Sequence, residues 1–210
     1  YYVSKAGFDT IRDLWLYASV ILLGLFIQLF VTYPLIIKLF SKIKVTSLYQ
    51  AVTEAMMVAF GTASSSATLP VTMERVENGL GVDEEVSSFV LPVGATVNMD
   101  GTSLYQAVAA VFIGQALGMD LSLAQQITIV LTALLASIGS AGVPGAGIIM
   151  LVIVLQSIQV PVEGIALILG VDRLLDMFRT VINVTGDAAV CASVAASEGQ
   201  MHTPVEDPEL

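Results

Sequence analysis

The sequence predicts an all-α membrane protein, and three observations carry that reading. Its 210 residues are 56% hydrophobic and 12% charged, against about 25% charged in an ordinary soluble domain. No charge occurs from Leu14 to Ile37, from Gly101 to Met119 or from Leu121 to Val162, and roughly 20 apolar residues suffice to cross a bilayer. Several of these apolar regions are interrupted near their centres by Gly, Ser, Thr and Pro, which a straight spanning helix would not contain.

Each element follows in order. Residues 12–40 read as one spanning helix; it ends at Lys38, Lys42 and Lys44, and the positive-inside rule sets that end in the cytoplasm. Residues 46–75 form a re-entrant hairpin broken within 61–70, where the serine run and Pro70 interrupt the helix. Unpaired backbone costs several kcal/mol in hydrocarbon, so such a break must face protein or a water-filled cavity. Residues 83–117 span again but carry Gly94 to Thr102 at mid-length. Residues 120–160 form a second re-entrant hairpin centred on Ser137 to Gly147, and residues 161–197 a last long helix. A polar tail, 201–210, closes the chain. Paired interruptions in corresponding positions are the sequence pointer to an inverted-repeat transporter with a midplane site. The heptapeptide Thr46–Val52 recurs identically at Thr102–Val108, in places that are not equivalent in that repeat.

Charge and composition narrow the function classes. The net charge of −10 comes largely from Glu74 to Glu85 and from the tail after Glu198, which reads as solvated loop. No basic cluster interleaved with aromatics suggests nucleic acid. Cys191 is a lone cysteine, which leaves no internal disulfide, and His202 lies in the tail, away from any metal-ligand spacing. No signal peptide is recognisable. The chain opens Tyr1-Tyr2 rather than with Met, so it is expected to begin mid-protein.

The last helix carries the chemistry. Asp172, Asp176, Arg179, Asn183 and Asp187 fall within an arc of roughly 80° at 100° per residue, a polar stripe on an apolar helix. An ionised group at mid-membrane costs about 2.5–3.5 kcal/mol, so the stripe needs partners or ligands. One reading is a structural ion-pair ladder, to which Asp172 at the outer end is best suited. The other is a binding site: Arg179 suits a carboxylate, Asp176 an ammonium group, and Asp187, Asn183, Asp100 and Asn98 supply hard oxygens for a small cation. The two broken segments admit close helix packing through small residues or, paired with the stripe, backbone N–H and C=O groups aimed at ligands. Trp15, Tyr17 and Tyr33 read as interfacial or packing aromatics, Met56, Met57 and Met99 as gap-fillers, and Cys191 as a small buried residue.

The motifs, in this order, resemble the dicarboxylate/amino acid:cation symporter family, the sodium-coupled glutamate/aspartate transporters. Ser64 to Pro70 looks like the family's first hairpin tip, Asn98-Met99-Asp100-Gly101-Thr102 matches its signature, Ser137 to Gly147 looks like the second tip, and Asp172 to Asp187 like the final helix. The resemblance covers residues 12–200. It implies that Asp176 binds the substrate amino group, Arg179 with Thr102 its side-chain carboxylate, and Asn183 with backbone near Ser65, Val143 and Gly147 its main carboxylate. One sodium is expected among Gly94, Asn98, Asn183 and Asp187, and a second against Thr96, Ser137, Ile138 and Ser140, with Met99 lining the ion sites. A third uses Asn98 and Asp100 together with an earlier helix that this chain lacks.

The resemblance further implies a partial transport domain (1–200) of an elevator-type carrier, homotrimeric through a scaffold missing from this chain. Co-transported Na+ is the ion, and neither an organic cofactor nor an enzymatic reaction is expected. The expected location is the plasma (cell inner) membrane, multi-pass, with a cytoplasmic C-terminus. Arg179 favours aspartate or glutamate over neutral substrates. Gln106 stands where mammalian members carry a proton-binding Glu, so proton coupling is not expected. Ala63 and Met177 occupy the places of an extra family arginine, and Arg173 is an unmatched charge nearby. Competing readings are a neutral amino-acid or dicarboxylate carrier, an ion channel, and an intramembrane aspartyl protease. The last is disfavoured by Arg179 and by the absence of Gly-x-Gly-Asp around Asp187. Saturable uptake would separate a carrier from a channel, which passes substrate-independent current.

Overall fold

The computed structural model describes residues 2–205, with side chains from residue 12 onward; the end of the polar tail, 206–210, lies outside the described residues. Those residues are helical throughout, with no strand among them beyond an isolated antiparallel bridge between Val82 and Met201.

The first long rod is α1 (Tyr2–Ile27), a π-helical segment (Gln28–Thr32) and α2 (Tyr33–Phe40) in unbroken succession, so it begins well before residue 12. Pro34 is tolerated because it sits in the first turn of α2, where its missing N–H costs least. Tyr17, Ile21, Leu25, Tyr33 and Ile37 form its buried stripe, while Trp15, Leu23, Phe26, Phe30 and Leu39 face outward. Such a row of large apolar side chains is at home against lipid or other helices, not water.

Helices α3 (Val45–Thr62) and α4 (Ser65–Leu80) make the first helical pair, and the break between them is only Ala63 and Ser64. This corrects the expected break over 61–70. Ser64 leaves helical geometry and its hydroxyl accepts from Ala67 N at 3.1 Å, so a cap placed the helix start. Pro70 then lies inside α4, its ring holding a helical φ at the loss of one backbone bond. The pair also runs on to Leu80 rather than residue 75. Helix α5 (Glu84–Val97) and helix α6 (Asp100–Ala116) are one span interrupted at Asn98 and Met99, both non-helical. Helices α7 (Leu123–Ser137) and α8 (Ala146–Ser157) flank a longer loop, 138–145. A 3-10 segment (Val162–Leu167) then leads into α9 (Leu169–Glu198), where a single helix over 161–197 is expected.

Helix α9 is the axis of the assembly. It packs against α1, α2, α3, α4, α5 and α6, whereas α7 and α8 pack mainly on each other and on α6. Of the two helical runs long and apolar enough to cross a membrane among the described residues, Arg12–Phe40 has 22% of its apolar window buried and Leu169–Glu198 has 67%. The helix with the most charges is thus the more enclosed, and the polar stripe has to be satisfied inside the protein.

Candidate functional site

The break at Asn98 and Met99 and the tips at 63–64 and 138–145 converge on the stripe of α9. The Arg179 side chain is 1% exposed and donates through Nη1 to Asp172 Oδ1 at 3.3 Å and through Nη2 to Asp176 Oδ1 at 2.6 Å. Its guanidinium carbon lies 3.7 Å from the ring centroid of Tyr105 on α6, so the cation is held by two carboxylates and an aromatic face. The second oxygen of Asp176 accepts from Gly145 N at 2.9 Å, which pins the end of the 138–145 loop to α9. Arg173 approaches the same oxygen at 4.0 Å from the exposed side.

One turn further along α9, Asn183 accepts from Gly101 N at 2.9 Å and donates to Thr102 Oγ1 at 3.1 Å. The break between α5 and α6 makes this possible, because it presents a first-turn N–H of α6 to a neighbouring side chain. Ser65, Thr102, Val143, Gly147, Asp176 and Asn183 all line one cavity of about 10 Å³, and Arg179 borders it through Asp176 and Gly147. The expected substrate residues are therefore neighbours. Val143 has a half-exposed side chain. A cavity of that size holds about one water, so a larger ligand enters only if a wall moves.

The expected cation residues fall into two places at this level and a third beside them. Asn98 donates to Asp187 Oδ1 at 3.0 Å, and Gly94 lies so close that an added Cβ would meet that oxygen at 2.6 Å. In the second place Gly139 N donates to Thr96 O at 2.8 Å and Ser140 N to Ser137 O at 3.1 Å. The Ser140 hydroxyl there is buried with no hydrogen-bond partner among the described residues. Asp100 belongs to neither: its carboxylate accepts from Gln28 Nε2 and from Tyr33 Oη at 2.7 Å, while the same Tyr33 hydroxyl reaches Ile182 O at 2.8 Å.

Tyr105 Oη, Gln106 Oε1 and Arg179 Nε are also buried without a partner. Native proteins leave few such atoms; of these residues Ser140 lines the cavity, and Gln106 and Arg179 approach it through Gly147. Gln106 meanwhile donates to Gly147 O at 3.1 Å. Sequence reasoning missed Gln28, Tyr33 and Tyr105. Tyr33 is a buried polar partner of Asp100, not a packing aromatic, and the signal was available: a buried phenol usually finds a hydrogen-bond partner. Trp15 is exposed and Tyr17 is stacked on Phe112, in keeping with the packing role.

Comparison with known proteins places the chain in a family. A family profile described as the sodium:dicarboxylate symporter family matches residues 1–197. An excitatory amino acid transporter of Caenorhabditis elegans is 51% identical over 180 residues, covering 86% of this chain and 36% of that protein. Excitatory amino acid transporter 3 of Oryctolagus cuniculus is 51% identical over 186 residues (89% and 36%), and excitatory amino acid transporter 4 of Rattus norvegicus 45% over 198 (94% and 35%). The chain thus spans little more than a third of the length of these relatives. With residues 1–197 of its 210 matched, the chain belongs to the sodium:dicarboxylate symporter family.

Proposed function

We propose that this chain supplies the substrate and ion site of a sodium-coupled symporter for acidic amino acids, L-aspartate or L-glutamate. The observation that carries the reading is the Arg179 guanidinium, buried between Asp172 and Asp176 at the wall of the cavity. A substrate with one ammonium and two carboxylates matches it. Its ammonium takes Asp176, its side-chain carboxylate takes Arg179 with Thr102, and its main carboxylate takes Asn183 and the backbone near Ser65, Val143 and Gly147. A neutral substrate offers the guanidinium no second carboxylate when Asp176 turns to the ammonium, and leaves it to Asp172 alone.

The ions follow from charge. Among the described residues Asp172 and Asp176 share the buried cation Arg179, while Asp100 and Asp187 have only neutral side-chain partners, Gln28, Tyr33 and Asn98, and an acidic substrate adds a further negative charge. Sodium ions offset it, one among Gly94, Asn98, Asn183 and Asp187, one against Thr96, Ser137, Ile138 and Ser140, and a third at Asn98 and Asp100. The orphaned Ser140 hydroxyl supports the second. Each charge moved through 100 mV contributes about 2.3 kcal/mol, so inward sodium drives accumulation.

The α3–α4 and α7–α8 pairs act as re-entrant hairpins of an inverted-repeat transport domain in a plasma (cell inner) membrane protein, with the C-terminus cytoplasmic. The 138–145 loop swings away to admit substrate and closes over it. The domain then slides as an elevator against a trimeric scaffold supplied outside this chain, with no organic cofactor. The test is calorimetric titration of the full-length protein in detergent with L-aspartate, in sodium and in choline. Binding in sodium that vanishes in choline is expected. A folded, trimeric protein that binds no acidic amino acid in sodium would overturn the assignment in favour of neutral amino acids or dicarboxylates.

A further inference from the structure

Where α2 ends, residues 41–44 lead into α3 and wall a cleft of about 750 Å³ against the end of α9 and the segment that follows it. Lys42, Lys44 and His202 line it together with Phe40, Leu80 and Met201, and no Asp or Glu is among its described lining residues. Lys38, Lys42 and Lys44 are exposed and make no ion pair among the described residues. They hold three of the eight basic residues of a chain whose net charge is −10, and no acidic residue occurs between Asp13 and Glu54. The cleft follows directly on the outward apolar side chains of Leu35, Leu39 and Phe40. On the membrane reading it therefore lies at the level where hydrocarbon gives way to headgroups.

We propose that this cleft is a binding site for one anionic phospholipid. Lys42 and Lys44 take the headgroup phosphate, and Phe40, Leu80 and Met201 receive the glycerol and first acyl carbons. A soluble phosphate would use the lysines and leave the apolar lining wet, whereas a lipid satisfies both. Lysines beside a membrane surface attract anionic lipids in any case, but diffuse attraction depends on their number, not on whether they line a cavity. Lys38 is exposed and lies outside the lining, so it separates the two. The inference rests on the membrane reading and is independent of the substrate assignment.

The experiment uses the full-length protein in nanodiscs of equal phosphatidylglycerol and phosphatidylcholine, released and weighed by native mass spectrometry. Elution profile and thermal midpoint show whether each variant is folded. Retained phosphatidylglycerol is expected to exceed phosphatidylcholine roughly tenfold, to fall on the order of tenfold in K42Q/K44Q, and to survive in K42R/K44R and in K38Q. Added sodium phosphate should not displace it. Equal retention of the two lipids, or an equal loss in K38Q and in K42Q/K44Q, would overturn the site. So would phosphatidylglycerol retention that emerges only when residues 206–210, with Glu206, Asp207 and Glu209, are deleted, since the acidic tail would then be the occupant.

Discussion

The two tips that meet at the cavity are built in opposite ways. The first, Ala63–Ser64, is two residues long and buried, capped by its own serine, and carried on helices that pack directly against α9. The second, 138–145, is eight residues long and places Gly139 and Gly145 at positive φ, with Val143 51% exposed. Its helices lean mainly on α6. What holds it closed is four hydrogen bonds at the tip: Gly139 N to Thr96 O, Ser66 N and Ser64 Oγ to Gly142 O, and Gly145 N to Asp176. At about 0.5–1.5 kcal/mol net each, these amount to about 2–6 kcal/mol. Ligand binding shifts two-state equilibria on that same scale. On the proposed function one tip is a wall and the other a door, and the door is latched onto the wall and onto Asp176.

Four substitutions break or sharpen this contrast, taken from the largest effect down. Arg179→Cys leaves Asp172 and Asp176 buried without their cation. It should abolish sodium-dependent aspartate binding in calorimetry and destabilise the protein by about 3–5 kcal/mol in denaturant melts. Gly142→Val places a Cβ at 2.5 Å from Ser66 Oγ and 3.0 Å from Ala95 O, so the second tip cannot latch. Hydrogen exchange should rise across 138–147 while α3 and α4 keep their protection, with aspartate affinity down on the order of a hundredfold. Equal loss of protection in both tips would end the wall-and-door distinction. Ser64→Ala removes a helix cap and one latch bond, and should cost about 1–2 kcal/mol of stability. Ala63→Gly relieves a non-glycine residue held at φ 51° and should leave the thermal midpoint unchanged or raise it slightly, offset by greater freedom in the unfolded chain.

Much of this architecture was legible in the sequence because charge-free length, interruptions by small residues and a helical polar stripe are local signals. The stripe on α9 was readable from spacing alone, since Asp176, Arg179 and Asn183 share a face in any helix. The width of the first tip was not. Pro70 and the serine run look like a break, yet Ser64, the first serine of the run and six residues before Pro70, caps the helix and lets the proline ride inside it. Partners from distant elements were also hidden: nothing near Asp100 in the sequence announces Gln28 or Tyr33. The repeated heptapeptide shows why. In the first copy Gln50 is exposed and Tyr49 donates to Leu29 O; in the second Gln106 is buried and Tyr105 lies under Arg179. Identical residues in identical helices acquire different duties from what packs beside them.

The π-helical segment Gln28–Thr32 settles a question of counting. Along a regular helix turning roughly 100° per residue, Ile21 and Leu25 lie about 40° and 80° from Tyr17, and Tyr33 and Ile37 would drift on to about 160° and 200°, the far side from Tyr17. Yet all five are buried. One surplus residue absorbed in the wide turn brings α2 back by about a residue's rotation and restores a common face. Within 28–32, therefore, the chain tolerates shortening by one better than lengthening by one. A deletion leaves both ends of the rod in register with the core while withdrawing Gln28 from Asp100, and an insertion throws one end out.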